Sequence, residues 1–331
     1  MRKALPLLLA LICLPLAVSA QGFTGTSGTV DPLAIDITPQ YPRPYDTIEI
    51  APSSNVIDLA ASTVSVSVNG NRLYDGSGSA PTAVTLGGAG SAADITMTVS
   101  WNGNTYSKTV TVRPTEVDIV PEAASTVPLM YPGAALPAPE GAMRLVAMAD
   151  LRGANGKQVP PSSLSYTWKQ DARTLEGQSG IGQDVLSIAA PNLYREDAYS
   201  VTAATADGSL VAEDSFTVAP ATPKVLVYVQ DPLLGTLFDS LVSGAFTLPG
   251  AEETFVAVPY FFSTTPAFAW TVNGTASEMS PSITVRATGT GQGSASLSVS
   301  ANGASAFEQS ASAFTVNFNS SQGSSNSFFG L

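Results

Sequence analysis

Residues 165–171 read Ser-Tyr-Thr-Trp-Lys-Gln-Asp, and residues 268–274 read Phe-Ala-Trp-Thr-Val-Asn-Gly. Each stretch places a tryptophan two residues after another aromatic residue, with polar or small residues between and after them. A period of two indicates a β-strand that buries one face. Trp168 and Trp270 are therefore predicted to be core residues of two separate β-units.

The same order of elements follows both stretches, and a third copy precedes them. Each block contains a first strand, a Gly/Ser-rich passage, a second strand, an Asn-Gly or Asp-Gly turn and a final strand. Asn-Gly and Asp-Gly reach positive φ at little cost, which favours two-residue hairpins. The turns that close the three blocks are Asn102-Gly103, Asp207-Gly208 and Asn302-Gly303. The sequence therefore predicts three internal repeats.

Helix signals are scarce. Strict alternation over 63–68, 95–100 and 294–299 predicts half-buried strands, and only residues 233–242 predict a helical turn. The chain is therefore expected to be all-β.

The repeats resemble immunoglobulin-like domains of the bacterial surface type, including the polycystic-kidney-disease-like (PKD-like) variety. Tyr166-X-Trp168 and Phe268-X-Trp270 match the aromatic-X-Trp pattern of the central strand, and Tyr199 matches the later strand that carries a tyrosine. The first repeat departs from this pattern because its first strand, 65–68, has no tryptophan. The resemblance implies three tandem immunoglobulin-like β-sandwich domains.

The chain is also similar to uncharacterised secreted proteins of ultrasmall candidate-phyla bacteria. The residues that carry this likeness are 231–238 and 257–263. The resemblance implies a place near pilus or secretion components and implies no chemistry.

Composition shifts divide the chain into segments. Short proline-containing linkers at 113–116 and 219–223 limit bending, which predicts an elongated, semi-rigid rod. The predicted segments are a signal peptide at 1–20, a leader at 21–30, an Ig-like domain at 31–112, a PKD-like domain at 117–218, a third Ig-like domain at 224–318 and a Ser/Asn-rich disordered tail at 319–331.

The first twenty residues have the features of an export signal. Arg2 and Lys3 precede an apolar stretch, and Val18-Ser19-Ala20 offers small residues for cleavage. Cys13 follows Ile12, which is too large for lipoprotein processing. A retained N-terminal anchor is the alternative, but the apolar stretch is short for a span. The expected locations are the periplasm or the extracellular surface of a bacterium, with no membrane span after cleavage.

Composition excludes several functions. The chain has 14 basic and 26 acidic residues, no histidine and one cysteine, with a net charge of -12. These counts leave no Ser-His or Cys-His couple, no thiolate zinc site and little electrostatic affinity for nucleic acid. The carboxylate pairs 196–197, 213–214 and 252–253 are adjacent, so on strands they point to opposite faces and cannot act together. We therefore expect no enzyme, no catalytic residue and no resident cofactor.

Calcium is the one ion that the composition leaves open. Extracellular sandwiches bind it through carboxylates and carbonyl groups in loops. The aspartates in or near predicted loops are Asp150, Asp197, Asp207, Asp214 and Asp231. The other interpretation, a solvated acidic surface, is favoured because the chain has no Asp-X-Asp-X-Asp-Gly loop.

Two aromatic groups are candidates for partner binding. Phe255, Tyr260, Phe261 and Phe262 form the densest cluster, and Pro259 within it suggests an edge strand that could accept another chain. The favoured interpretation is an ordinary core strand in which Val256, Val258 and Tyr260 face inward. The second group is the apolar tip Phe328-Phe329-Gly330-Leu331 on a polar tether, which either docks into a partner or frays.

These features predict a secreted, non-enzymatic structural, adhesion or spacer protein of the cell envelope, associated with a pilus or secretion assembly. Its expected partners are envelope or pilus proteins, other copies of itself or surface glycans. The alternative is a carbohydrate-binding module protein assisted by calcium.

Overall fold

The computed structural model describes residues 31–78, 80–129, 131–288 and 291–318, which form three consecutive β-sandwiches. The predictions for the signal peptide, the leader, Cys13, the tail, Phe328 and Phe329 lie outside the described residues. No helix in the described ranges is long and apolar enough to cross a bilayer.

The first unit pairs a three-stranded sheet, β1-β2-β5, with a four-stranded sheet, β4-β3-β6-β7. A short 3₁₀ turn at Leu59–Ala61 precedes β3. The strands are β1 (Ala34–Thr38), β2 (Thr47–Ser53), β3 (Thr63–Val68), β4 (Asn71–Ser77), β5 (Thr82–Thr85), β6 (Ala93–Trp101) and β7 (Asn104–Val112).

The second unit repeats this arrangement. Its sheets are β13-β9-β8 and β11-β10-β14-β15, with β12 also paired to β10. Two 3₁₀ turns lie at Pro161–Ser163 and Glu176–Gln178. The strands are β8 (Glu116–Ala123), β9 (Ala142–Asp150), β10 (Ser165–Gln170), β11 (Arg173–Thr174), β12 (Gly180–Ile181), β13 (Val185–Ala189), β14 (Asp197–Ala204) and β15 (Val211–Val218).

The third unit has sheets β17-β16-β19-β22 and β18-β24-β23-β20-β21, and β18 runs parallel to β24. The strands are β16 (Lys224–Asp231), β17 (Gly235–Leu241), β18 (Gly244–Thr247), β19 (Glu252–Tyr260), β20 (Ala267–Val272), β21 (Thr275–Ala276), β22 (Ser282–Arg286), β23 (Gly293–Asn302) and β24 (Gln309–Phe318).

Strand register places the repeated motifs at the same position in each unit. Trp168 on β10 lies opposite Val201 on β14, and Trp270 on β20 lies opposite Val299 on β23. In the first unit β3 and β6 make the same pairing with smaller side chains, and Val66 takes the place of the tryptophan. Both tryptophans and Val66 are buried. A tryptophan buried between the two sheets of a β-sandwich, on a strand in the interior of its sheet, is typical of immunoglobulin-like domains.

Each unit has a hydrophobic core of its own. The three cores draw on strands β1–β7, β8–β15 and β16–β24, respectively. The prediction of an all-β chain of tandem sandwiches is confirmed. The domain boundaries at 31–112, 117–218 and 224–318 stay predictions.

Several local predictions were wrong. Asp207-Gly208 and Asn302-Gly303 do not form two-residue hairpins, because residues 205–210 connect β14 to β15 and residues 303–308 connect β23 to β24. Residues 233–242 contain no helical turn. The Asp231 carboxylate accepts hydrogen bonds from the backbone N–H groups of Leu233 and Leu234, and the chain then reverses at Gly235 (φ +80°) into β17. On β19 the core takes Phe255 and Ala257, so the inward positions are not Val256, Val258 and Tyr260. Those residues face the opposite side of the sheet.

Candidate partner-binding site

A long loop of the second unit, residues 124–141, reaches onto the third unit. Its anchor is Thr126, which lies beside the segment that follows β19. The Thr126 N–H donates to the Phe262 oxygen over 2.7 Å, and the Phe261 N–H donates to the Thr126 oxygen over 2.7 Å. The Phe262 N–H also donates to Thr126 Oγ1 over 3.0 Å. These bonds join the two sandwiches in the manner of a short strand pair.

Phe261 adopts an uncommon backbone conformation at this contact. Its φ is +62°, in the left-handed region that aromatic residues rarely adopt. Such a conformation costs on the order of 1 kcal/mol and persists only where the surroundings fix it. Here the surroundings are the Thr126 bonds and a ring that is buried. The unusual conformation therefore belongs to the contact between the second and third units.

Three further contacts close the same junction. The rings of Tyr194 and Phe307 meet edge to face at 6.1 Å. The Ser305 hydroxyl donates to the Glu140 carboxylate. The Ala221 N–H, within the linker, donates to the Pro137 oxygen over 2.8 Å.

A buried carboxylate organises the side of the third unit that faces this junction. Glu308 is 0 % exposed and accepts the Ser263 N–H at 2.7 Å, the Ser263 hydroxyl at 3.0 Å and the Ala304 N–H at 3.0 Å. A Cβ at Gly303 would lie 2.2 Å from Glu308 Oε2, so a glycine is required there. The carboxylate is satisfied by hydrogen bonds rather than by an ion pair, which gives it a structural role.

Beside the junction lies a cleft of about 490 Å³, which we name the aromatic cleft. The loop of the second unit forms one wall, and the outer face of the sheet containing β16, β17 and β19 forms the other. The lining residues are Pro128, Leu129, Tyr131, Pro132, Tyr228, Phe238 and Tyr260.

The rings of the aromatic cleft are held by one another. The hydroxyls of Tyr228 and Tyr260 form a hydrogen bond of 3.0 Å. The Tyr228 ring lies 5.3 Å from Phe238, and the Tyr131 ring lies 6.1 Å from Tyr260. Burial, together with the hydrogen bond that it shares with Tyr228, raises the pKa of Tyr260 well above its usual value. The cleft therefore offers apolar ring faces that are fixed by their neighbours.

The rim of the aromatic cleft is strongly exposed. Leu129 is 88 % exposed and Phe238 is 48 % exposed, although both are large apolar side chains. Exposed apolar surface grouped around a cavity marks a binding surface more often than a single exposed leucine does. The cleft can therefore bind an apolar group without any rearrangement of the core.

The structure separates the predicted partner-binding residues. Phe255 and Phe262 are 0 % exposed and lie in the core of the third unit. Phe261 is buried in the junction, and only Tyr260 lines the cleft. The aromatic cluster in the sequence is thus divided among a core, a junction and a candidate site.

The other members of the cleft were missed by the sequence analysis. Tyr131 is far in the sequence from Tyr228 and Phe238, which lie on the adjacent strands β16 and β17, and none of the three belongs to a repeated motif. A signal was nevertheless present. Four prolines lie at 128, 132, 137 and 139, between two strands, which is unusual for a simple connection and indicates a long functional loop.

The junction between the first and second units rests on Arg43. Its Nη1 lies 3.2 Å from Glu116 Oε1 and 2.8 Å from Asp118 Oδ1. Its Nη2 donates to the Val117 oxygen over 2.8 Å and lies 3.3 Å from Asp214 Oδ1. One guanidinium from the first unit thus contacts three carboxylates of the second. Its hydrogen bond to Asp118 raises the pKa of Arg43 above its usual value.

Backbone contacts reinforce this first junction. The buried Thr115 donates its N–H to the Pro42 oxygen over 3.2 Å and its hydroxyl to the Val211 oxygen. Gly90 (φ +77°) comes so close to the second unit that a Cβ there would lie 2.9 Å from the Arg152 Cβ. Thr115, within the first linker, is therefore hydrogen-bonded to both the first and the second unit.

The aspartates considered for calcium have other partners or lie apart. Asp197 is buried between Arg195 and Gln170, and Asp214 accepts the Ile119 N–H at 2.8 Å. Hydrogen bonds from the Thr205 hydroxyl and from Ser209 lower the pKa of Asp207 to about 2, which stabilises its hairpin turn. Within the described ranges, no three or more carboxylate, histidine or cysteine side chains converge as a metal site would require.

Comparisons with known proteins give the context of the fold. No protein-family model and no curated protein matches the chain. Among solved structures, the three N-terminal domains of the bacteriophage RB49 Highly Immunogenic Outer Capsid protein (Hoc) are 11 % identical, with 86 % of this chain and 98 % of that chain covered and a TM-score of 0.26.

Two further structures are similar. The fibronectin(III)-like modules of Clostridium thermocellum CbhA are 12 % identical, with 56 % of this chain and 92 % of that chain covered and a TM-score of 0.27. Immunoglobulin domains 1–5 of Sidekick-1 are 12 % identical, with 88 % of this chain and 60 % of that chain covered and a TM-score of 0.28. With TM-scores this low the likenesses carry no argument, and the fold assignment rests on the sheets and cores of the chain itself.

Proposed function

We propose that this protein is a secreted, non-enzymatic spacer and adhesion protein of the bacterial cell envelope. Its three immunoglobulin-like units would act as a semi-rigid rod that holds a binding surface away from the cell. The expected partners are envelope or pilus proteins.

The proposal rests on one observation: at each of the two junctions, side chains or backbone groups of consecutive units contact each other directly. At the first, Arg43 binds three carboxylates across the linker. At the second, Thr126 pairs with Phe261 and Phe262. Tandem domains joined only by a linker move relative to one another by default. Specific contacts on both sides of each linker favour a fixed relative placement of the units, which a spacer requires and a set of independent modules does not.

The chemistry of the described residues supports a non-enzymatic role. The aromatic cleft offers tyrosine hydroxyls with no acid or base beside them, and its apolar walls suit binding. The charged residues of the junctions are engaged with one another, so they are available for structure rather than for proton transfer.

Small-angle scattering tests the rod. A compact chain of this length has a radius of gyration of about 20 Å. We expect a value well above this for the intact protein, unchanged between low and high protein concentration. A value close to 20 Å would contradict the spacer proposal.

Crosslinking in the native bacterium tests the partners. A short, non-cleavable crosslinker followed by mass spectrometry identifies what the protein touches in place. We expect links to pilus or envelope subunits, concentrated on the third unit. Links confined to cytoplasmic proteins would refute the localisation, and links to degradative enzymes would favour the alternative function.

Carbohydrate binding is the second candidate function. The feature that favours it is the group of partly exposed rings in the aromatic cleft, because sugars stack on such faces. A glycan array with intact protein, in the presence and absence of a chelator, tests both the sugar and the calcium. Binding that disappears with Phe238→Ala would support this candidate.

A further inference from the structure

The aromatic cleft is lined mainly by apolar and aromatic side chains, which is unusual for an exposed site. Its lining side chains are two prolines, a leucine, a phenylalanine and three tyrosines, and no Asp, Glu, Lys or Arg is among them. The whole chain, in contrast, has a net charge of -12. A ligand for this cleft is therefore selected by apolar shape rather than by charge.

The hydrogen-bonding groups of the cleft further narrow the ligand. A sugar brings several hydroxyls, and a site that binds one usually supplies carboxylate, amide or guanidinium partners. Here the side-chain polar groups of the lining are tyrosine hydroxyls, and those of Tyr228 and Tyr260 bond to each other. Buried sugar hydroxyls would lose hydrogen bonds to water without replacement, which costs free energy. An apolar or aromatic peptide fits better.

A segment of the chain outside the described residues has this chemistry. Residues 328–331 read Phe-Phe-Gly-Leu, and the tether at 319–327, Asn-Ser-Ser-Gln-Gly-Ser-Ser-Asn-Ser, contains no charged side chain. We propose that Phe328 and Phe329 dock into the aromatic cleft of their own chain. This inference does not depend on the spacer role.

The tether is long enough for this docking. The Val225 N–H donates to Ser310 Oγ over 3.0 Å, so β16 and β24 lie side by side at this level. At about 3.3 Å per residue, Phe318 then lies about 17 Å farther along the unit than Tyr228. The chain from Phe318 to Phe328 spans up to about 33 Å when extended. Since stacked sheets are about 10 Å apart, the tip can reach the outer face.

Binding within one chain is favoured over binding to a second copy. A short tether gives its tip an effective concentration on the order of 1 mM at a site it can reach. A second copy would have to exceed that concentration to compete. The cleft is therefore expected to be self-occupied in dilute protein.

Photo-crosslinking in the full chain tests the contact. The probe is p-benzoylphenylalanine at position 329, with position 321 in the tether as the matched control. We expect the 329 probe to link to peptides containing residues 128–132, 228–238 or 260 of the same molecule, and the 321 probe to link there far less. Links from position 329 to other surfaces, or links found only in dimers, would overturn the proposal.

A peptide titration provides an independent measurement. The probe is a synthetic peptide with residues 327–331, Ser-Phe-Phe-Gly-Leu, titrated onto the intact protein and onto the F328S/F329S double variant. If the peptide binds the open cleft with a Kd of about 0.1 mM, self-occupation at an effective 1 mM weakens its binding to the intact protein about tenfold. Equal binding to both proteins, or binding to neither, would overturn the proposal.

Substitutions at two exposed residues of β17 test where the peptide binds. Phe238 lines the cleft and is 48 % exposed, whereas Leu241 is 51 % exposed and is not part of the lining. In the F328S/F329S background, Phe238→Ala is expected to weaken peptide binding at least tenfold, and Leu241→Ala less than twofold. Equal effects of the two substitutions would show that the peptide does not bind in the aromatic cleft. The same conclusion would follow if Phe238→Ala left the peptide affinity unchanged but abolished glycan binding.

Discussion

The indole Nε1–H of Trp270 donates a hydrogen bond to the backbone oxygen of Ser280 over 3.0 Å. Trp168 makes the same bond to Gln183 over 2.9 Å in the preceding unit. In both units, then, the core tryptophan also fastens the loop that follows the central strand. The core and the loop are coupled through one side chain.

Trp270→Phe is expected to destabilise the third unit by about 2–3 kcal/mol, because it leaves the Ser280 oxygen unsatisfied and a cavity beside Phe314. The matched control is Trp101→Phe at the end of β6, where the ring is only partly buried and the expected loss is below about 1 kcal/mol. Hydrogen exchange with mass spectrometry assigns each loss to its unit. A loss spread evenly over all three units would contradict the separation of the cores.

Arg43→Ala is expected to loosen the first junction rather than unfold a unit, because it leaves the carboxylates of Glu116, Asp118 and Asp214 facing one another without a cation. The charges are partly exposed, so the lost free energy is about 1 kcal/mol. The readout is faster proteolysis within 113–115. The control is Arg72→Ala, which removes an exposed pair with Asp75 inside the first unit. Equal cleavage rates in the two variants would refute the clamp.

Tyr166→Phe is expected to stabilise the second unit by about 1 kcal/mol. The Tyr166 hydroxyl is buried and has no hydrogen-bond partner among the described residues. Removing an unsatisfied buried group recovers its desolvation cost. Urea denaturation measures the change, and a destabilised variant would show that the hydroxyl has a partner.

The same residue predicts a dependence on alkaline pH. Burial raises the pKa of Tyr166 from 10.0 to about 12. Between these values the unfolded chain loses the proton while the folded chain keeps it, so the free energy of unfolding falls as pH rises from 10 to 12. The slope in this window should be smaller in Tyr166→Phe than in the intact protein. Tyr199 and Tyr260, whose pKa values are also raised, contribute the remainder.

Glu308→Ala is expected to destabilise the third unit by about 2–3 kcal/mol. The change leaves the N–H groups of Ser263 and Ala304 without their buried acceptor. The control is Glu278→Ala, where the side chain is exposed and the change should stay within about 0.5 kcal/mol. Thermal unfolding compares the two variants, and similar melting temperatures would show that the carboxylate is dispensable.

The sequence was sufficient where the signal is local. Hairpins at Asn69-Gly70 and Asn102-Gly103 follow from the positive φ that these dipeptides adopt. The burial of Ile95, Met97 and Val99 follows from alternation on a sheet with one solvated face. Most of the all-β architecture rests on such local patterns.

The sequence was insufficient where distant segments meet. On β19 the inner face meets the core and the outer face meets the loop of the second unit, so apolar residues on both faces hide the period of two. Strand β17 forms because it pairs with β16 in a hairpin whose turn is closed by Asp231 and Gly235, and apolar spacing alone does not reveal that turn. The aromatic cleft joins residues 131, 228 and 260, which no motif links.

The Thr126 contact also bears on mechanical load. A force applied across the second and third units passes along the linker at 219–223 or through the contacts between the two units. At the second junction the bonds of Thr126 to Phe261 and Phe262 lie alongside the linker at 219–223. These hydrogen bonds, the Tyr194–Phe307 ring contact and the bond between Ser305 and Glu140 therefore share with the linker any force that separates the two units. The second and third units have separate hydrophobic cores, so the junction contacts are the elements, besides the linker, that transmit such a force from one core to the other.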